Sequence, residues 1–434
     1  MPPLTIALLF LAGFLIIGLE RNRALQVFLI AVTLIPYGSN LDIGPASFTP
    51  MRILIFFGML RIIFKGERIN GALNTADFSM ILLSVVLLIA SVMRPPAPDS
   101  SFITRLGNAY DIVGGYFVFR CLIKGYEDIF SIFKVTVIIF TILGIFMAYE
   151  KVKCYNLFSL LGGSQIPKIR DGKVRCSGSF GISILAGTVP ATSLVWMYIL
   201  RWHKNINRLY LYIGMVSSVA VIFLCTSSGP LMSLALLIVG FCTWPLRDNM
   251  KIIKSGIITM LVAFQILMTE PVWFLIAKID LTGSSTGWHR AELMDSAIRN
   301  LNEWWFVGTN YTRHWMPTGV SWSPYQTDIT NQYLRFGIDG GILAMLLFIY
   351  VISSSFAIIG KKIKGMPDHL FNHKILIWAL GASLFSHTVT FFSVRYFDQS
   401  IMYFFLLLAM IGCVGAIDDN GEQNISEALG LKVK

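Results

Sequence analysis

Glu303-Trp-Trp-Phe-Val-Gly-Thr-Asn-Tyr-Thr-Arg-His-Trp-Met-Pro317 lies within the one long polar stretch of an otherwise apolar chain. From Trp273 to Phe336 charge, glycine and aromatic residues are interleaved, and six of the ten tryptophans fall there: Trp273, Trp288, Trp304, Trp305, Trp315 and Trp322. Everything on either side reads as apolar segments of membrane-spanning length. The stretch therefore divides the chain. Residues 1–271 form the first part of a transmembrane helical bundle, 272–337 a large loop with short helices, and 338–434 further spanning helices with a cytoplasmic tail.

The whole composition agrees. A chain of 434 residues that is 55% hydrophobic and 14% charged, with mean hydropathy +0.68, is too apolar for a water-soluble domain. The expected fold class is all-α, a polytopic membrane protein whose first partner is the lipid bilayer. A formal charge of +11 would suggest nucleic acid in a soluble chain. Here the basic residues sit in short clusters between apolar runs, as cytoplasmic loops do, so no nucleic-acid partner is expected.

None of the six cysteines forms a Cys-x-x-Cys pair, which argues against a zinc or haem site. Cys154 and Cys176 bracket a polar loop, where a disulfide and two free thiols both fit. Arg21 and Arg23 follow the first apolar run instead of preceding it, the reverse of a secretory signal, so a retained first helix is expected.

Spans of ~20 apolar residues, fewer where the flanks snorkel, are read at 3–19, 24–40, 48–64, 78–93, 105–121, 129–149, 178–200, 209–225, 230–246, 255–271, 338–360, 375–393 and 399–416. Counting spans places the loops around Arg21, Arg61, Arg120, Arg201, Arg247 and Lys361 on one side, with the Lys432–Lys434 tail. By the positive-inside rule that side is cytoplasmic. The opposite side carries 38–46, 95–101, 152–176, the 226–229 turn, the large loop and 395–398. No internal repeat is visible, which weighs against an inverted-repeat carrier.

Candidate chemistry collects on that opposite side. Residues 286–299 have a helical period, with Thr286 as an N-cap and Ala291, Met294, Ala297 and Leu301 on one face. Arg290 falls in the first turn, where the helix dipole disfavours a cation. It is either solvated or faces an anion. Trp304, Trp305 and Trp315 read equally as an interfacial belt or as platforms for sugar rings beside Asn310, Arg313 and His314. Asp328 precedes an apolar segment, where partial desolvation would suit a general base; an N-cap role fits as well. Arg52 and Arg175 open spans on this side as snorkelling anchors or anion ligands. With Arg290 and Arg313 they supply four guanidiniums, enough to hold a diphosphate without a metal, and no Asp-x-Asp motif stands near them. Asp111 and His387 lie within spans and should face the bundle interior.

Four features in order, Arg175-x-x-Gly178-x-Phe180, the Ser227-Ser228-Gly229 turn, Arg290 at a helix start, and Asn331-x-Tyr333-Leu334 with Gly337 and Gly341 beyond, resemble the bacterial O-antigen ligase and O-antigen (exopolysaccharide) polymerase superfamily over about residues 130–415. The resemblance implies a metal-independent glycosyltransferase of the bacterial inner membrane, active on the periplasmic face and needing no cofactor. The implied donor is an undecaprenyl-pyrophosphate-linked oligosaccharide. The acceptor is either a second glycan, in a polymerase, or a lipid A core, in a ligase. In that scheme Arg175 and Arg290 bind the pyrophosphate, with Arg313 and Arg52 beside them; Trp304, Trp305, Trp315, Asn331 and Tyr333 contact substrate. Where the family keeps a His before the Asn of the closing motif, this chain has Thr330, and where its turn has Arg, this chain has Ser228. A threonine is no base at neutral pH, so the role passes to Asp328, with His314 as the other candidate. The missing His favours a polymerase over a ligase. A non-catalytic flippase for the same lipid is the competing class; it would need polar residues spread along the spans.

Overall fold

A computed structural model describes residues 1–44, 46–95, 102–203, 206–278 and 287–417. The chain is mostly helical. Its helices are α1 (Pro3–Gly18), α2 (Arg21–Leu34), α3 (Pro50–Lys65), α4 (Thr75–Met93), α5 (Phe102–Leu122), α6 (Tyr126–Lys153), α7 (Ser183–Ile199), α8 (Arg208–Leu224), α9 (Ser228–Cys242), α10 (Met250–Leu267), α11 (Leu275–Lys278), α12 (Gly287–Arg299), α13 (Leu301–Trp304), α14 (Gln332–Gly365), α15 (Phe371–Thr390) and α16 (Gln399–Ala416). Each of the thirteen apolar segments is helical over most of its length. Six helical stretches are long and apolar enough to cross a membrane: 75–93, 126–153, 183–202, 244–267, 332–365 and 399–416. Three more, α1, α8 and α9, are apolar but shorter.

Contacts between loops sort the helix ends into two groups. At one end Arg61 Nη1 donates to the carbonyls of Ile16 and Leu19, Asn70 donates to Lys124 O, Lys362 to Ile417 O, and Trp244 packs edge-on against Phe371. These are the basic loops, gathered as the charge count expects. At the other end Thr5 donates to Leu161 O, Gln399 to Ile35 O and the Gln332 amide to Phe391 O. Lys204, the tail beyond residue 417 and the proposed cap Thr286 lie outside the described residues.

Charge inside the bundle is neutralised where it occurs. Arg120 and Asp77 are fully buried and paired, Nε to Oδ1 at 3.1 Å, with the Tyr116 hydroxyl also donating to that carboxylate. Asp111 is held by Arg52, and His387 hydrogen-bonds the Tyr396 hydroxyl at 2.8 Å in an aromatic pocket. Both are satisfied structural groups, as burial of a polar side chain in a membrane requires.

Two short antiparallel hairpins interrupt the all-helical reading: β1 (Leu41–Ile43) with β2 (Ala46–Phe48), and β3 (Lys168–Arg170) with β4 (Lys173–Arg175). The second turns through Asp171 and Gly172, both at positive φ (52° and 70°), the Asp-Gly pair that a tight hairpin turn favours.

The other departure is in α14, read as a span over 338–360. It starts at Gln332 and breaks at Gly340–Gly341, with Gly341 at φ 77°, ψ −179°. A break frees backbone groups that lipid cannot satisfy. Arg94, buried at the end of α4, donates to Ile338 O at 2.9 Å and Asp339 O at 2.7 Å, while Trp305 O accepts from the Ile342 amide and Ile338 O from the Thr309 amide. Burial and the Arg105 and Arg335 guanidiniums push Arg94 down to about 10, against the pull of Asp339, which leaves it a cation at neutral pH. The large loop is thereby keyed into the bundle. A Cβ on Gly341 would stand 2.0 Å from Phe306 O. We expect Gly341→Ala to destabilise the protein by about 3 kcal/mol or more, read as a lowered thermal midpoint in detergent micelles. Gly360→Ala, at a position with open space around it, should leave the midpoint unchanged or slightly raised.

Candidate functional site

The segment leading into α7 is tied down almost atom by atom. Glu150 of α6, fully buried, accepts from the Ser177 and Gly178 amides at 3.1 and 3.0 Å; Asn156 donates to Gly178 O at 2.7 Å; and Gln399 donates to Ser179 O at 2.9 Å. The Asp398 carboxylate accepts from the Gly181 amide at 3.0 Å. Gly178 sits at φ 56°, a left-handed conformation that explains the glycine of the Arg175-x-x-Gly178 motif. Arg175, at the end of β4, is thus projected from a rigid base.

Arg290 comes from α12. That helix rests on a small core of Leu293, Ala297, Trp304, Trp315, Met316, Ile329, Leu334 and Ile338. Ala291 and Ala297 are buried and Met294 partly so, as the periodicity expects. Leu301 is not on that face: it is 40% exposed, in the separate turn α13.

Arg175 and Arg290, 115 positions apart in the chain, share one electrostatic neighbour. The charge of Arg170, on the same hairpin as Arg175, acts on both. Each is half-buried and held below the usual arginine range, first by burial and then by that like charge. Among the described residues neither Nε has a hydrogen-bond partner and no carboxylate is paired with either side chain. Beside Arg175 runs a groove of about 140 Å³ lined by Ser164, Ile166, Lys168, Ser177 and the 181–184 turn. That volume exceeds the share of one water, ~30 Å³, several-fold, so the groove takes a phosphate-sized group.

Arg395, in the loop between α15 and α16, is a third cation without a hydrogen-bonded or ion-paired partner among the described residues. Burial and Arg335 push it down to about 10, while Asp339, Tyr37 and Asp328 pull it up. Phe397 of its loop lies near Gly181, one of the residues that line the groove. Asp328 lies within electrostatic range of Arg395. Its side chain is exposed, so the partial desolvation expected for it is not seen; the chain reaches the membrane helix only at its N-cap, Asn331.

Other expected site residues are committed elsewhere. Arg52 Nε donates to both oxygens of Asp111 at 3.1 Å and its other nitrogens to Ser47 O and Asn108, so its charge is already answered. Arg313 donates to Met316 O and Pro317 O of its own turn. His314 is tied to Glu303 at 2.9 Å, and the same carboxylate accepts from Trp315 at 3.0 Å. Trp304 and Trp315 are 3% and 5% exposed. Trp304 lies over Gly337, whose missing side chain makes the room, and donates to Ala297 O. They are core residues of the loop, whereas Trp305 presents an open face, 54% exposed, as do Trp288 and Trp322. Asn331 caps α14 through the Leu334 amide at 3.0 Å, and Tyr333 donates to Thr388 O at 2.8 Å. Thr330, at the family's His position, has a buried hydroxyl with no hydrogen-bond partner among the described residues.

Arg170 and Arg395 were passed over in the sequence. The Asp171-Gly172 dipeptide signals the hairpin that presents Arg170. Nothing local distinguishes Arg395 from a snorkelling anchor.

All six cysteines are free, Cys176 buried and Cys154 exposed. Among the described residues no group of three His, Cys, Asp or Glu could hold a metal ion. No protein-family model matches this chain, and no curated protein matches it.

If Arg52 is a structural partner of Asp111, removing one member strands the other. Arg52→Gln and Asp111→Asn should each destabilise by about 3 kcal/mol, and the double variant by clearly less than the sum, measured by thermal unfolding in micelles.

Proposed function

We propose that this membrane protein is a glycosyltransferase that acts without a metal on a glycan carried by a polyprenyl diphosphate, as the family it resembles does. The carrying observation is the pair Arg175 and Arg290: half-buried, with no ion-paired carboxylate among the described residues, and within the field of one shared neighbour. A desolvated guanidinium favours a bidentate phosphate-type ligand over water. Two of them match the two charges of a diphosphate diester.

The reaction that follows is a displacement at the anomeric carbon. The acceptor hydroxyl attacks that carbon as Asp328 takes its proton. The bond from the carbon to the diphosphate oxygen breaks, and the polyprenyl diphosphate leaves with its new charge against Arg175 and Arg290. Asp328 suits the proton transfer by its reach: it is exposed, and among the described residues no hydrogen bond occupies it. His314 is engaged by Glu303 and stands second. Arg395 holds the flank of the site next to Asp328. A polymerase, with a second lipid-linked glycan as acceptor, is preferred to a ligase acting on a lipid A core. The setting implied is the bacterial inner membrane, with the site on its periplasmic face.

A lipid-linked oligosaccharide carrier would share the break in α14, because carriers bind ions at unwound backbone. Here Arg94 and the large loop occupy the freed Ile338, Asp339 and Ile342 groups, so transport gains no support from it.

Reconstitution with an undecaprenyl-diphosphate-linked repeat unit tests the reading. Wild type should form new glycosidic bonds, unaffected by chelator. Arg175→Ala and Arg290→Ala should each lower kcat/KM about 100-fold, and Asp328→Asn should lower kcat by about 100-fold or more, with His314→Ala nearly silent. Wild-type rates in these variants, or translocation of the lipid without new bonds, would overturn it.

A further inference from the structure

The turn α13 and the residues just after it carry an exposed apolar face. Leu301 and Trp305 lie one helical turn apart on the same side, the Trp305 amide donating to Leu301 O, and both side chains are exposed. The Phe306 ring packs beside Trp305, centroids 5.4 Å apart, and is 60% exposed. The one charge of the turn faces away from them: the Glu303 carboxylate accepts from Trp315 Nε1 at 3.0 Å and meets His314 at 2.9 Å. Large apolar side chains clustered on a surface mark a contact.

The level of this face is set by its bonds to α14. Trp305 O accepts from the Ile342 amide at 2.8 Å, and Gly341 leaves the room that Phe306 O occupies. Ile342 is also where the charge-free part of α14 begins, since residues 342–360 contain no Asp, Glu, Lys, Arg or His. At ~1.5 Å per residue that run rises ~28 Å, close to the ~30 Å of bilayer hydrocarbon. Its outward side chains, Leu343, Leu346 and Tyr350, are exposed at the spacing of a lipid-facing stripe. Trp305 and Phe306 therefore stand level with the first turn of the apolar run, where hydrocarbon gives way to headgroups and indole rings are favoured. We propose that the large loop, polar in most of its length, is seated in lipid: Leu301, Trp305 and Phe306 enter the bilayer surface at the end of the bundle away from the basic loops. Continuity with the α14 stripe makes the occupant lipid. Trp304, on the same turn, packs in the core under α12 and donates to Ala297 O, so the seat also fixes the height of α12 and its Arg290 over the membrane. The contact stands whatever reaction the protein carries out.

The test attaches a nitroxide at Phe306→Cys in the full chain, with the exposed thiols removed as Cys154→Ser and Cys242→Ser, reconstituted in phospholipid vesicles. Leu346→Cys, on the α14 stripe, and Lys173→Cys, exposed on the β3–β4 hairpin, serve as references. Collisions of each label with oxygen, which concentrates in lipid, are compared with collisions with a water-soluble nickel chelate. The label at 306 should favour oxygen as the label at 346 does, whereas the label at 173 should favour nickel. A label at Trp305→Cys should repeat the result, so the outcome does not hang on one substitution. Preference for nickel at 306 and 305 would put the loop in water and overturn the proposal. Exclusion of both reagents there, the sign of cover by a second copy, would overturn it as well.

Discussion

A guanidinium taken out of water has to meet an anion or a set of carbonyls, and how each arginine of this chain meets that demand sorts structure from site. Arg120 answers to Asp77, Arg52 to Asp111 and Arg61 to Glu67 and two helix-end carbonyls. Arg94 answers to the carbonyls freed where α14 breaks. Each of these pins one element to another. Arg175, Arg290 and Arg395 are desolvated on the same terms, yet the described protein supplies them no such partner. A membrane protein that leaves arginines in this state at one end of its bundle is disposed to take an anion there.

The rigidity of that arrangement comes from placement of the chain's few polar groups. Glu150, Asn156, Asp398 and Gln399 are all buried and all aimed at the backbone of residues 177–181, so the end of α6, the loop after it and the start of α16 together fix the base from which Arg175 projects. Arg290 is fixed differently, by an apolar contact in which Trp304 fills the space over Gly337 and the loop is latched at Gly308 and Gly341. The grip proposed above, built on such fixed elements, would spend little ordering energy when a ligand arrives.

What could be read from the sequence was whatever acts over long, simple stretches. Apolar runs announce helices because lipid leaves the backbone no alternative, and clustered Lys and Arg announce the side on which loops gather. The helix that carries Arg290 in its first turn was legible too, and α12 lies there. What could not be read depended on which side chain meets which. Nothing around Arg52 in the sequence tells that Asp111, 59 residues on, neutralises it. The tryptophans of the loop looked like sugar platforms, but Trp304 and Trp315 close a small core, because Gly337 and Ala297 happen to lie beneath them. Asp328 was expected at the lipid boundary with its carboxylate partly desolvated, whereas its side chain is exposed between the buried Thr327 and Ile329. The hairpin was signalled by Asp171-Gly172 and overlooked, since strands of three residues give no periodicity to find.

The account turns on Arg175 and Arg290 holding one diphosphate between them. Equilibrium binding of undecaprenyl diphosphate to the protein in nanodiscs, measured for wild type, Arg175→Ala, Arg290→Ala and the double variant, tests that most directly. A shared ligand predicts that each single change costs about tenfold or more in affinity and that the double variant loses clearly less than the product of the two. Two independent, multiplicative losses, or one arginine whose removal leaves affinity intact, would show that the two guanidiniums do not meet on a common ligand.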